Sequence, residues 1–217
     1  MRALICLDLD GPLIDVSTRY YAIYCDLVRS YDGLPLALED YWRQKRNRIP
    51  DVDQFIAAGL GRDQANVCAA ERVCLIEDSR YVRLDRIWEG TEGFLRQLHS
   101  AYDIAIVSFR GDAEQAESQL RAAGIRDLCN HVVCARATGE IRRPEAKAEM
   151  VRRIIGDDVP AGWFIGDTET DIRAGRLLGL RTAAASFGLR DLSYLEAERP
   201  DIVLRKPQEM HAWAAQL

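Results

Sequence analysis

Short apolar runs recur along the chain at residues 3–7, 104–107, 131–134, 163–165, 182–185 and 202–204. Within each run the hydrophobic residues follow one another instead of alternating with polar ones, as in strands covered on both faces. Between the runs, helical patterns occur near residues 93–100, 113–123, 145–155 and 171–178. Gly124 and Gly179 stand just past two of these stretches, where helices stop. Strand and helix in alternation imply right-handed crossovers and predict an α/β fold, a doubly wound parallel sheet of Rossmann-like form.

Residues 16–85 break that rhythm. They hold no buried-strand run and are rich in helix-forming stretches such as 18–30 and 38–46, punctuated by Gly33-Leu34-Pro35 and Ile49-Pro50. The expected organisation is an α/β core of residues 1–15 plus 86–217, with a small helical domain of residues 16–85 inserted after the first strand. A length of 217 residues accommodates both.

Composition narrows the class of protein without naming its chemistry. A content of 48% hydrophobic and 29% charged residues is that of an ordinary globular chain. The net charge of −5 gives no general attraction for nucleic acid or for an anionic membrane, though local positive charge at a site still suits a phosphorylated ligand. None of the six cysteines forms a C-x-x-C pair, and His99, His131 and His211 do not cluster with them at zinc-finger spacing. Buried free thiols at Cys6 and Cys134, and a reducing, cytoplasmic setting, are expected. The apolar stretch 3–7 is cut off by Asp8 and Asp10, so no secretory signal is expected, and no run has the length to span a bilayer.

The chemistry sits at the ends of the runs. Asp8 and Asp10 follow the first run, and residues two apart in a strand point to the same side. Gly11 directly after them lets the backbone turn or approach a ligand closely. In a parallel sheet the space beyond the carboxyl ends of the strands is where ligands bind. Two carboxylates so close repel each other unless a cation or a shared proton intervenes. An acidic strand end that caps a neighbouring helix would give the same pattern. A second acidic group, Asp167 and Asp171, follows the fourth run one helical turn apart. Hard oxygens from different strand ends are what Mg²⁺ takes, although Asp167 could also cap the next helix. Ser108 closes the second run, and the loop Phe109-Arg110-Gly111 opens a helix whose backbone N–H groups can hold a phosphate oxygen.

Taken in order, Asp8-x-Asp10-Gly11, Ser108 at a strand end, a basic residue, and Gly166-Asp167-Thr168-x-x-Asp171 resemble the four-motif signature of the haloacid dehalogenase superfamily. Ala174-Gly175-Arg176, Leu178-Gly179-Leu180 and Pro200-Asp201 further along are similar to that family too. The resemblance implies a Mg²⁺-dependent phosphatase acting on a small phosphorylated metabolite. Asp8 would be the nucleophile that forms an aspartyl-phosphate, and Asp10 the acid that protonates the leaving oxygen and then activates water. The carboxylates of Asp8 and Asp167 and the backbone carbonyl of Asp10 would bind Mg²⁺, with Asp171 as a ligand or acting through water. Ser108, Phe109, Arg110 and Gly11 would hold the phosphate. An aspartate at position 10 favours phosphate esters over carbon–halogen or carbon–phosphorus bonds. A phosphomutase would use the same aspartate pair, and a binding domain of the same fold with little turnover is a third reading.

Many relatives carry Lys-Pro at the third motif, whereas this chain reads Arg143-Pro144-Glu145-Ala146-Lys147. Lys147 is the preferred cation, because an ammonium packs compactly between carboxylates and a phosphate, with Arg143 as the alternate. The inserted residues 16–85 look like a cap that excludes water and reads the leaving group. Its basic run, Arg43, Lys45, Arg46 and Arg48, suits either an anionic group on the substrate or a solvated helix face. Tyr20, Tyr21, Tyr24 and Trp42 suit a pocket wall or a core. Neither the particular substrate nor the oligomeric state is legible at this level.

Overall fold

The computed structural model describes residues 2–135 and 143–217. The chain divides into two compact units, one of Met1–Ile14 with Ile87–Leu217 and the other of Asp15–Arg86. It begins with β1 (Ala3–Leu7) and β2 (Ile14–Asp15). Five helices follow: α1 (Ser17–Arg29), α2 (Leu38–Arg46), α3 (Asp51–Ala57), α4 (Arg62–Leu75) and α5 (Ser79–Val82). Then come β3 (Arg86–Ile87), α6 (Thr91–His99), β4 (Tyr102–Ser108), α7 (Ala113–Ala122), β5 (His131–Cys134) and α8 (Pro144–Ile155). The last elements are β6 (Gly162–Gly166), α9 (Glu169–Leu177), β7 (Arg181–Ala185), α10 (Leu192–Ala197), β8 (Ile202–Leu204) and α11 (Pro207–Ala214).

Six of these strands make one sheet in the order β5-β4-β1-β6-β7-β8, and every pair in it is parallel. All six coincide with the apolar runs of the sequence. β1 lies in the middle, Leu7 standing beside Ile106 on one side and Ile165 on the other. Leu4, Ile5, Cys6 and Leu7 are buried accordingly, because a central strand with helices on both faces has no solvent side. From β1 the chain builds outward through β4 and β5, then returns to build through β6, β7 and β8. The order therefore reverses next to β1, and the carboxyl ends of β4, β1 and β6 form the crevice where such sheets bind ligands.

The helices of this unit pack through one apolar stripe each, as in α6, which buries Phe94, Leu95 and Leu98. α8 and α9 depart from that rule. α9 buries Asp171, and the buried stripe of α8 is Lys147, Ala148, Met150 and Val151, so an ammonium occupies a core-facing position. Among the described residues no helix is long and apolar enough to cross a membrane. The cysteines of the sheet unit are free thiols, with Cys6 buried as expected and Cys134 only half-buried at the sheet edge.

The second unit is helical and has a core of its own. α1 buries Tyr20, Ile23, Tyr24, Leu27 and Val28. The Tyr24 ring stacks on Tyr41 at 4.4 Å and lies 5.5 Å from Phe55, so these aromatics are core. Arg19 and Asp85 form a fully buried ion pair at 3.1 Å, and Arg19 also donates to the carbonyl of Ile76. Of the basic run, Arg43 is exposed and pairs with Asp40, whereas Lys45 is largely buried against Asp51.

Candidate active site

Asp8 follows β1 directly, Ser108 ends β4, and Asp167 follows β6. Since β4, β1 and β6 are neighbours, three residues far apart in sequence meet at adjacent strand ends. Asp8 is fixed by its own backbone, its N–H donating to the carbonyl of Ile165 at 2.9 Å. Its Oδ1 accepts from Leu9 N–H at 2.8 Å.

Lys147 enters from the first turn of α8. Its Nζ lies 3.0 Å from Asp8 Oδ1 and 2.5 Å from Asp171 Oδ1, and all three side chains are nearly or wholly shielded from solvent. Asp171, in the first turn of α9, uses its other oxygen as a helix cap. Oδ2 accepts from Asp167 N–H at 3.2 Å, Thr168 N–H at 2.9 Å and the Thr168 hydroxyl at 2.7 Å. The capping role that the sequence allowed for Asp167 is thus carried by Thr168 and Asp171. Both Asp171 oxygens are engaged by protein donors.

Asp167 is fully buried. Its Oδ2 accepts from Leu189 N–H at 2.5 Å, while its Oδ1 accepts no hydrogen bond. Two glycines make room for it. Gly11 has φ +101°, and a Cβ there would fall 1.9 Å from Asp167 Oδ2. A Cβ on Gly188 would fall 2.1 Å from the same atom. The glycine after the first aspartate pair therefore gives way to a carboxylate from another strand. The Gly11 carbonyl is held from outside by the Trp88 indole N–H at 2.7 Å.

One oxygen each from Asp8, Asp167 and Asp171 lies within 4.8 Å of the others. Three carboxylates against one ammonium leave a surplus of two negative charges. Burial pushes the Asp8 carboxyl up to about 7, Lys147 opposing and Asp171 and Asp10 adding to the rise. Burial likewise raises Asp167 well above the usual carboxylate range, with Asp8 and Asp171 reinforcing it. Burial alone would lower Lys147, but Asp171 and Asp8 outweigh it and keep the ammonium charged. A hard-oxygen set with two surplus charges and an orphaned buried oxygen fits a hard divalent cation.

Asp10 points to a different partner. The buried Arg110 guanidinium donates Nε to both Asp10 oxygens, at 3.1 and 3.2 Å, and Nη2 to Oδ1. Nη1 of Arg110 donates to Gln119 of α7 at 2.6 Å. Arg110 was expected at the phosphate, and its side chain is found on the second aspartate. Its backbone N–H points to Ser108 Oγ at 3.4 Å. The Phe109 ring lies 5.3 Å from Lys147 Nζ. Arg143 is exposed at the residue just before α8. Sequence reasoning did not find Trp88, Gly188 or Leu189, and it named Thr168 in the fourth motif without its capping role.

A family model described as haloacid dehalogenase-like hydrolase matches residues 3–179 of this chain. Pyrophosphatase PpaX of Bacillus cereus (strain AH820) is 22% identical over 216 residues, covering 95% of this chain and 93% of that protein. Among solved structures, a haloacid dehalogenase-like family hydrolase from Streptococcus pneumoniae superposes with a TM-score of 0.73 at 20% identity over 98% of both chains. A predicted phosphatase from Clostridium acetobutylicum superposes with a TM-score of 0.71 at 15% identity over the whole of both chains. At such identities the structural likeness speaks for the fold.

Proposed function

The chain belongs to the haloacid dehalogenase-like hydrolase family, and from that premise we propose that it hydrolyses the phosphate linkage of a small phosphorylated metabolite, with Mg²⁺ bound. The observation that carries this reading is Lys147 set between Asp8 and Asp171, beside an Asp167 oxygen that accepts no hydrogen bond. The Bacillus relative is named a pyrophosphatase, which makes an inorganic or organic pyrophosphate a second substrate class to test.

Asp8 is the nucleophile. Its carboxylate attacks phosphorus, the bond from phosphorus to the leaving oxygen breaks, and Asp10 gives that oxygen its proton. Water then attacks the aspartyl-phosphate, losing its proton to Asp10, and Asp8 and inorganic phosphate are released. Asp8, Asp167 and the Asp10 carbonyl would hold Mg²⁺, which would supply charge neutralisation at the phosphoryl oxygens. Asp171 keeps Lys147 in place, and Lys147 and the Ser108 hydroxyl stabilise the remaining phosphoryl charge. The contact with Arg110 orients Asp10 as the ionised carboxylate, the form that takes the proton of the attacking water. The inserted helical unit, compact in itself, serves in this proposal as the cap that selects the leaving group.

Phosphate release from p-nitrophenyl phosphate and from inorganic pyrophosphate, with Mg²⁺, with EDTA and in Asp8→Asn, tests the proposal. Release from at least one substrate is expected, lost with EDTA and lowered on the order of a thousandfold or more in Asp8→Asn. Folded protein that releases none from these or from a panel of phosphorylated metabolites would sink it.

A further inference from the structure

The orientation of Asp167 is set partly by the loop that follows β7, which lies outside the four sequence motifs. Ser186 N–H ties the start of this loop to the Leu204 carbonyl at 2.8 Å. Phe187 meets the Trp88 ring edge-on at 5.7 Å. Gly188 brings its backbone against the Asp167 carboxylate, and Leu189 N–H donates to Asp167 Oδ2. Arg190 then reaches back, Nε to Glu169 Oε2 at 3.1 Å and Nη1 to the Leu189 carbonyl at 3.3 Å. Glu169 is the first residue of α9, two positions beyond Asp167.

These contacts close a ring from Asp167 along the chain to Glu169, across to Arg190, back to Leu189 and through its N–H to Asp167. We propose that the Glu169–Arg190 pair is a positioning device for the metal. It clamps the loop so that one Asp167 oxygen stays occupied by Leu189 N–H and the other stays presented to the cation. The inference rests on the metal-bound reading above. Both side chains are largely buried, so the pair is shielded enough to hold one geometry, unlike the exposed ion pairs of this chain. Partners of metal ligands commonly matter this way, because a carboxylate free to turn loses part of its affinity for the ion. A merely structural pair would change stability alone. A positioning pair changes how tightly folded protein holds the ion.

Mn²⁺ serves as the probe, its free concentration read by electron paramagnetic resonance in a titration of the whole chain without substrate. Metal-free melting of the same samples checks that each variant is folded. Arg190→Gln and Glu169→Gln are each expected to weaken Mn²⁺ binding by about tenfold or more. The double variant should lose no more than either single one, because the two residues act as a unit. Folded single variants that bind Mn²⁺ like the wild type would overturn the clasp alone, and so would losses that add in the double variant. A wild type that binds no Mn²⁺ would overturn the metal-bound reading with it.

Discussion

In the sheet unit, three buried carboxylates share one ammonium, Lys147. In the helical unit, one carboxylate, Asp51, lies between two cations, with Lys45 Nζ at 2.5 Å and Arg72 Nη2 at 2.7 Å. The Asp51 cluster is somewhat less buried than the other, and the two are opposite in balance. Burial would raise Asp51, but Lys45 and Arg72 outweigh it and hold its carboxyl below the usual range. At Asp8 burial wins, and the carboxyl rises to about 7 despite Lys147. The Asp51 cluster joins α2, α3 and α4 with one surplus positive charge, and both of its cations lie 5.5 Å from the Tyr20 ring of α1, whose face offsets part of that surplus. The Asp8 cluster is left unbalanced, which favours a ligand and costs stability in its absence.

Removing the single cation from the unbalanced cluster should have the largest effect. Lys147→Met leaves Asp8 and Asp171 buried without their ammonium, and a loss of about 3–5 kcal/mol is expected. Thermal melting of the metal-free protein measures it, and a loss under about 1 kcal/mol would mean the cluster is not strained as described.

Asp51→Asn probes the cation-rich cluster and should cost about 2 kcal/mol, since two cations lose their counter-charge. The pH dependence sharpens the contrast. Asp51 has a folded pKa below that of an unfolded aspartate, about 4, so its contribution is complete above that value and drains as pH falls through the depressed one. The difference in Tm between wild type and Asp51→Asn should therefore hold steady from about pH 8 to 5 and shrink below about pH 4. A difference that grows on acidification would contradict the ion-pair account.

The smallest effect has the opposite sign. Asp167→Asn removes a carboxyl whose charged form burial, Asp8 and Asp171 all disfavour, and the metal-free protein should gain about 1 kcal/mol while losing its response to Mg²⁺. Melting with and without Mg²⁺ checks both halves. A destabilised metal-free variant would show that Asp167 is already balanced.

Much of the fold was legible because it rests on continuous apolar runs. All six strands of the parallel sheet were visible that way, and α6 to α9 lie on the expected helical stretches. β2 and β3 were not, since two residues make no run and their pairing is a tertiary event. α10 and α11 were missed as well, being short and set between strong strand signals. The acidic residues stood out because charge at the end of an apolar run is conspicuous. The choice between Arg143 and Lys147 turns on which face of α8 meets the sheet, and only packing reveals that an ammonium takes a core position. The contact of Arg110 was hidden for a related reason. Its place in the chain suggested a loop whose backbone faces a phosphate, and nothing in the sequence signals that its long side chain reaches the Asp10 carboxylate of another loop. Leu189 acts through its backbone N–H, which leaves no mark in residue type, and a lone glycine such as Gly188 does not reveal which side chain it makes room for.

The central position of β1 also shapes how the protein folds. Ile5 must find Ile104 on one side and Trp163 on the other, both far later in the chain. Until then an apolar strand with two open edges waits without partners, a state prone to association with other chains. The helical unit lies within the long loop that separates β1 from β4, and its contacts are formed within its own sequence. Once it folds and β2 pairs with β3, the ends of that loop are drawn together and little chain remains to be closed before Ile104 arrives. The insertion then lowers the entropic barrier to the first pairing of the sheet instead of adding to it.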